Sequence, residues 1–159
     1  MRVWRLALGR FHELDGEGAR LYGGRWNSPG VPVIYGATHL SLALLEQLVH
    51  LNPDRLPAAF RAFNIDVPDN ATHEVAGASV AIGDVEACRR QGDAWVAPRR
   101  SAALIVPSIL VPARLRPGDV VTDERNVLLN PRHPSARLWR AVETSFRIDS
   151  RLRRVAAER

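Results

Sequence analysis

The sequence contains no lysine: all 22 basic residues are arginine, set against 17 acidic residues, for a net charge of +5. This one-sided usage indicates a compositional bias of the source genome. The arginines are dispersed, and the short clusters at 89–90, 99–100 and 151–154 are not interleaved with aromatic side chains on which bases stack. We therefore expect a solvated basic surface or a patch for an acidic protein partner, and no direct nucleic-acid binding.

Cysteine and long apolar runs are also scarce. The single cysteine, Cys88, excludes an internal disulfide, and the five histidines lack metal-ligand spacing, so we predict no metal. No stretch approaches the roughly 20 apolar residues that span a bilayer. The basic start, MRVWRLALGR, lacks the apolar centre of a signal peptide. These features predict a cytoplasmic protein without membrane contact.

The residues that are present suffice for one domain. The chain has 159 residues, of which 46% are hydrophobic, and it shows neither a linker nor a repeat. We expect a single α+β domain over 1–159, with 151–159 as a tail that frays. Alternation and apolar runs predict strands at 2–8, 31–35, 60–67, 101–108, 126–130 and 138–148. The last strand is expected at a sheet edge.

Two helices are predicted between these strands. Thr38 is a candidate cap for a helix that runs to about Leu51, where Asn52 and Pro53 end it. A shorter helix is predicted from Asp84 to about Gln91. Strands therefore outnumber helices.

The region around residue 25 has the features of a binding site. The segment from Gly9 to Gly30 holds six glycines and is long for a plain connection, and long ordered loops in small domains tend to be functional. Gly23 and Gly24 allow the main chain to approach a ligand closely, while Arg25 offers a planar fork of donors suited to phosphate. The sequence therefore predicts an anchor for an anionic substrate at this turn.

Four segments occur in the order typical of one family: GARLYGGRWNSPGVPVIYGA, SLALLEQLVHL, VPS and NVLLNPRHP. With them the chain resembles the RES-domain toxins from Arg5 to Ile148. The resemblance implies a strand-rich fold related to ADP-ribosyltransferase toxins and an NAD-degrading activity, with NAD+ as substrate and no cofactor. It also implies an antitoxin partner with an Xre-type DNA-binding region, and it is compatible with a homo-oligomer inside the antitoxin complex.

Matching the family motifs residue by residue implies a set of site residues. The catalytic set is Glu46, Arg25 and Tyr35. The substrate-binding set contains Arg25 and Tyr35 together with Ser108, Arg20, Asn27 and Asn126. The connection before Asn126, ILVPARLRPGDVVTD, is longer than is usual in the family. The resemblance therefore does not determine the shape of the pocket near Asn126.

Cleavage of the bond between nicotinamide and ribose suits these residue types. The reaction leaves positive charge on the sugar, which the Glu46 carboxylate would stabilise. Nicotinamide departs as a neutral molecule, so no acid is needed to protonate it. Tyr35 offers an electron-rich face to the cationic ring, Arg25 matches the diphosphate, and Ser108 can hydrogen-bond the ribose or the carboxamide.

Each residue also has a structural interpretation. Arg25 can form an ion pair, Tyr35 can be a core aromatic, Glu46 can be solvated, and Ser108 can be turn chemistry. The acceptor is open as well: water or inorganic phosphate would make a glycohydrolase or phosphorylase, and a protein side chain an ADP-ribosyltransferase. An alternative of another class is a basic RNA-binding or RNA-cleaving toxin, whose affinity would fall steeply as salt rises.

Overall fold

The computed structural model describes residues 1–8, 14–52, 56–68, 70–71, 73–76, 81–111, 122–149 and 151–152. Three predicted features lie partly outside these residues: the start of the glycine-rich segment, the longer connection before residue 126, and the end of the C-terminal tail. The described part forms a mixed α+β domain, as the sequence patterns predict, and it is built on one seven-stranded sheet.

The order of the strands across the sheet differs from their order in the chain. The strands are β1 (Arg2–Ala7), β2 (Ile34–Ala37), β3 (Ala59–Asp66), β4 (His73–Val75), β5 (Ala103–Val106), β6 (Asn126–Leu129) and β7 (Arg140–Arg147). The order across the sheet is β4-β5-β6-β2-β1-β3-β7, with β4 and β5 parallel and the other neighbours antiparallel. β7 lies at an edge, as predicted, and β6 and β2 lie near the centre.

Three α-helices and a 3-10 helix accompany the sheet. They are α1 (Glu17–Tyr22), α2 (Leu40–Leu48), α3 (Val85–Val96) and the 3-10 helix Pro134–Leu138. Within the part of the chain that is described, no helix is both long enough and apolar enough to cross a membrane. The helix that matters most for the site is α2, because it carries Glu46.

The predicted cap of α2 is wrong. Thr38 lies one residue outside the cap position, which His39 occupies without a capping bond from its side chain. The Thr38 hydroxyl instead accepts the Arg125 N–H at 2.9 Å, a contact between distant segments that local sequence cannot reveal. By contrast, α3 starts where predicted, since Asp84 Oδ1 accepts the Ala87 N–H at 3.0 Å, but it extends five residues beyond Gln91.

The alternation of side chains gives the sheet two buried faces. One face carries a single apolar cluster that includes Val3, Ile34, Ile65, Val127 and Leu129. The other face carries two clusters side by side. The cluster packed on α3 contains Trp26, Cys88, Trp95, Leu104, Val106 and Leu128. The cluster packed on α2 contains Leu6, Ala37, Leu42, Phe60 and Ala62. The candidate site lies on this second face, where the two clusters meet.

Candidate active site

Glu46 lies in the last turn of α2 and is held by two side chains from distant parts of the chain. Ser108 Oγ donates to Glu46 Oε1 at 2.8 Å, and Asn126 Nδ2 donates to the same oxygen at 2.6 Å. The other carboxylate oxygen has no hydrogen-bond partner among the described residues. The carboxylate is thus fixed through one oxygen, which leaves the second to act on a ligand.

Ser108 is placed by the turn that follows β5. It is only 2% exposed, and its hydroxyl oxygen accepts the main-chain N–H groups of Leu110 at 3.0 Å and Val111 at 3.2 Å. Since those two bonds occupy the oxygen's lone pairs, the hydroxyl hydrogen is directed to Glu46. Ser108 therefore both stabilises the turn and contacts Glu46, two roles that the sequence analysis gave as alternatives.

The sheet register places Tyr35 close to the Glu46 group. Tyr35 on β2 is opposite Leu128 on β6, and Ala37 is opposite Asn126. Side chains two residues apart on a strand share a face, so Tyr35 and Asn126 are diagonal neighbours, about 7–8 Å apart between their Cα atoms. Tyr35 therefore lies on the same face of the central strands as Asn126, the residue that holds Glu46.

The hydroxyl of Tyr35 is bound to the glycine-rich turn. It donates to Asn27 Oδ1 at 2.7 Å and accepts the Trp26 N–H at 3.0 Å. Burial raises the pKa of Tyr35 above its ordinary value, against the smaller opposing effects of the Trp26 hydrogen bond and of two arginine charges. A Cβ atom on Gly24 would lie 2.5 Å from this hydroxyl, so the turn requires glycine there.

Asn27 is fully buried and holds the turn together. Its Nδ2 donates to the carbonyl oxygens of Ala19 at 2.9 Å and Val31 at 2.8 Å, while its Oδ1 accepts from Tyr35. The polar atoms of Asn27 are thus committed to the protein. Arg20, the other residue predicted to flank the turn, forms a bidentate pair with Glu17 at 2.6 and 2.7 Å on the partly exposed side of α1.

Arg25 remains available for an anion. Its Nη1 donates to the carbonyl oxygen of Ile82 at 2.7 Å, which fixes the side chain. The other N–H groups of the guanidinium have no partner among the described residues. The Arg25 side chain is therefore fixed at one N–H group and has others without a described partner, as expected of a residue that binds phosphate.

Two arginines that the sequence analysis did not select also contact this region. Arg89 on α3 donates from Nε to the Gly24 carbonyl at 2.9 Å, and Arg5 on β1 donates from Nη1 to the Tyr35 carbonyl at 3.1 Å. Burial lowers the pKa of Arg5. A signal for Arg89 existed, since it lies three residues before the buried Gly92 and therefore on the same side of α3.

Two surface hollows lie away from this group of residues. One of about 290 Å³ lies beside Trp4 and Val142, and one of about 230 Å³ lies beside Gln91 and Trp95. Neither is lined by a predicted site residue, and we assign the site by its held carboxylate rather than by volume. Nowhere in the described ranges do three or more histidine, cysteine or acidic side chains gather as metal ligands would.

Comparison with known proteins gives consistent results. The sequence matches the RES domain family over residues 2–151. It is 40% identical over 146 residues to the Prs ADP-ribosylating toxin of Sphingobium sp. strain YBL2, covering 84% of each chain. It is 35% identical over 162 residues to Toxin Res of Photorhabdus laumondii, covering 96% of this chain and 97% of that one.

The fold also has a solved counterpart. The crystal structure of the M. tuberculosis MbcT–MbcA toxin–antitoxin complex superposes with a TM-score of 0.64, covering 99% of this chain and 89% of that chain. The identity is 21%, so this likeness concerns the fold.

Proposed function

Because the chain belongs to the RES domain family, and is thereby a toxin of a toxin–antitoxin system, we propose that it degrades NAD+ by cleaving the bond between nicotinamide and ribose. Enzymes of this family act on NAD+. The observation that carries the proposal is the Glu46 carboxylate, which Ser108 and Asn126 hold through one oxygen only.

The Glu46 carboxylate would act on the ribose. As the bond to nicotinamide lengthens, positive charge develops on the sugar, and a fixed carboxylate stabilises that charge without having to reorganise. Its second oxygen, for which no described residue is a hydrogen-bond partner, can alternatively accept a hydrogen bond from a ribose hydroxyl, a bond that strengthens as the charge grows. In both cases Glu46 acts as an anion, so a second carboxylate is not required.

Tyr35 and Arg25 would bind the two ends of the reacting half of the dinucleotide. The Tyr35 ring supplies an aromatic face for the cationic nicotinamide ring. The guanidinium N–H groups of Arg25 that have no described partner are donors for the diphosphate. Asn27 and Trp26 hold the Tyr35 hydroxyl, so the ring is placed before the substrate arrives.

The acceptor that we favour is water or inorganic phosphate. With water the products are nicotinamide, ADP-ribose and a proton, and with phosphate they are nicotinamide and ADP-ribose 1″-phosphate. One relative is named as an ADP-ribosylating toxin, which favours transfer to a protein side chain as the second candidate. All three reactions share the same bond cleavage.

We propose an antitoxin protein of the Xre type as the partner, with action in the cytoplasm, where NAD+ is present. The support is the solved counterpart, which is a toxin–antitoxin complex. A partner that covers the Glu46 group would block substrate entry. The excess of arginine suits an acidic segment in such a partner.

The proposal is tested by Glu46→Gln, which keeps the shape of the side chain and an oxygen for Ser108 and Asn126 but removes the charge. We expect NAD+ cleavage, followed by proton and phosphorus NMR with and without phosphate, to fall about 10²–10³-fold, as when one stabilising group is lost from other enzymes. The thermal unfolding midpoint should stay close to that of the wild type.

Glu124→Gln is the matched control. Glu124 also accepts a serine hydroxyl, that of Ser41 at 2.9 Å, but it lies on the surface outside the site, so this variant should cleave NAD+ at the wild-type rate. Equal activity of wild type and Glu46→Gln would contradict the proposal, as would intact NAD+ after incubation with folded wild type freed of any inhibitor. NAD+ labelled in the adenylate half, incubated in cell lysate, separates the acceptors: labelled protein indicates transfer.

A further inference from the structure

We infer that Arg89 binds the substrate's diphosphate together with Arg25, so that two guanidinium groups form a clamp at the glycine-rich turn. The inference rests on the proposed function and adds a residue that lies outside the four motifs of the family resemblance. Arg25 belongs to the turn by sequence. Arg89 belongs to it by contact, because its Nε donates to the Gly24 carbonyl at 2.9 Å.

Arg89 bonds the carbonyl of Gly24, the residue against which the Tyr35 hydroxyl packs, and Arg25 is the next residue in the chain. Their positive charges each oppose the effect of burial on the pKa of Tyr35, and among the charges named there Arg89 has the larger influence. The same hydroxyl lies against Gly24, where a Cβ atom would come within 2.5 Å of it. Arg25 follows Gly24 in the chain and Arg89 bonds the Gly24 carbonyl, so both arginines belong to the turn that packs on the Tyr35 hydroxyl.

Among the residues that the structure describes, neither arginine forms a close pair with a carboxylate. Arg25 bonds a carbonyl oxygen, and Arg89 has one long contact of 3.5 Å with Glu86, whose side chain is 71% exposed. The other nearby acids are engaged elsewhere: Asp84 caps α3, and Asp93 accepts a main-chain N–H of the turn at 3.0 Å. Most of the N–H donors of the two arginines thus remain for a ligand.

A diphosphate matches this arrangement better than a single phosphate does. Its two phosphate groups each carry a negative charge and several acceptor oxygens, and each guanidinium offers a planar fork that fits one group. The clamp would therefore bind the dinucleotide by its centre and leave the nicotinamide end to Tyr35 and Glu46.

The test compares Arg89→Gln with Arg90→Gln. The two arginines are neighbours on α3 and both variants remove one charge, but Arg90 is exposed and makes no contact with the turn. Dissociation constants for ADP-ribose and for adenosine, which lacks phosphate, are measured by NMR titration. We expect Arg89→Gln to weaken ADP-ribose binding about tenfold, the worth of one charge-assisted hydrogen bond, and Arg90→Gln to change it little. Adenosine binding should be unaffected.

Arg89→Lys keeps the charge and loses the fork, so it should fall between wild type and Arg89→Gln. It also serves if Arg89→Gln fails to fold, which thermal unfolding reports. Unchanged ADP-ribose affinity in Arg89→Gln would overturn the clamp, because the residue would then only hold α3 to the turn. An equal loss for ADP-ribose and adenosine would overturn it too.

These binding measurements do not depend on turnover. If the wild type binds ADP-ribose with the expected loss in Arg89→Gln but leaves NAD+ intact, the clamp stands and the proposed reaction fails. If NAD+ is cleaved and Arg89→Gln binds ADP-ribose as the wild type does, the reaction stands and the clamp fails. With an active enzyme, the clamp further predicts a raised KM for NAD+ in Arg89→Gln, with kcat changed less.

Discussion

Ser108 and Asn27 show how single polar side chains in this domain hold other side chains in place. Ser108 uses its oxygen for two main-chain N–H groups and its hydrogen for Glu46. Asn27 donates to carbonyl oxygens of the turn and accepts from Tyr35. Both were predicted to bind substrate, and that role stays a prediction. What the contacts support directly is that each fixes the position of a candidate catalytic residue.

Tyr35 gives a pH-dependent prediction at this scale. Because burial raises its pKa, the folded protein keeps the phenolic proton at pH values where the unfolded chain, with a pKa of about 10, releases it. The free energy of unfolding should therefore fall as pH rises above about 10. In Tyr35→Phe this part of the fall should vanish, while stability at neutral pH drops by about 1–3 kcal/mol as Asn27 and Trp26 lose a partner.

Urea denaturation between neutral pH and the alkaline range measures both effects. Tyr22→Phe is the control, because it removes the hydroxyl of a tyrosine that is 66% exposed. If Tyr35→Phe loses stability with pH as steeply as the wild type does, the assignment of the alkaline effect to Tyr35 is wrong.

At the scale of elements, the glycine-rich turn is fixed by its contacts with α3. Arg89 donates to the Gly24 carbonyl, and Asp93 accepts the Ser28 N–H. Gly92 lies between these two helix residues, and its missing side chain lets the helix approach the main chain of Trp26. Helix and turn therefore behave as one unit, which carries Arg25 and Arg89 together.

Gly92→Ala should push α3 away from the glycine-rich turn. The added Cβ would overlap the Trp26 carbonyl oxygen, and backbone on both sides prevents easy relief. We expect the free energy of unfolding to fall by about 3 kcal/mol, at the upper end of the cost of overpacking, and NAD+ cleavage to fall with it. Gly83→Ala, just before α3, is the control, since a Cβ there meets nothing within 4 Å. Equal stability of the two variants would show that the helix does not need this close approach.

Sequence patterns predicted the elements whose signal is local. Alternation identified β3, where buried and less buried positions largely alternate, and the apolar run identified β5, which is mostly buried. Alternation also identified β7, although nearly all of its residues are exposed. α1 and β4 were missed, since six and three residues are too few to show a period. Thr38 was taken for a cap because its side chain suits one, but a contact with residue 125 outweighs that preference.

The site was predictable in its residues but not in its connections. The family motifs selected Glu46, Ser108 and Asn126, and the structure brings these three together. The sequence could not show that the serine and the asparagine contact the glutamate, since this depends on how β5 and β6 lie under α2. Arg89 was missed because its charge placed it in a surface cluster, whereas its position on α3 turns it toward the glycine-rich turn.

At the scale of the whole molecule, the net positive charge does not come mainly from the arginines of the proposed site. The charge of +5 comes from arginines spread along the chain, several of which are paired, as Arg20 is with Glu17 and Arg61 with Glu143. The proposed substrate contacts involve two arginines at one turn. A small anion bound there should therefore depend on salt much less than a nucleic acid would.

Salt titration checks this difference. We expect kcat/KM for NAD+ to change by less than about threefold between about 50 and 200 mM salt, where a protein that neutralises six or more phosphates loses about 10³-fold in affinity. Fluorescence anisotropy of a labelled RNA, measured over the same range, is the parallel control. Tight RNA binding that collapses over this range, with no NAD+ cleavage, would favour the RNA-directed alternative.

The two hydrogen bonds to Glu46 determine when, during synthesis of the chain, the proposed site can form. The two hydrogen bonds join Glu46 to residues 62 and 80 positions further along the chain. During synthesis, domains fold as their segments emerge from the ribosome. A nascent chain that has not yet released Asn126 cannot hold the Glu46 carboxylate in this way, so the proposed site forms only after most of the chain has been translated.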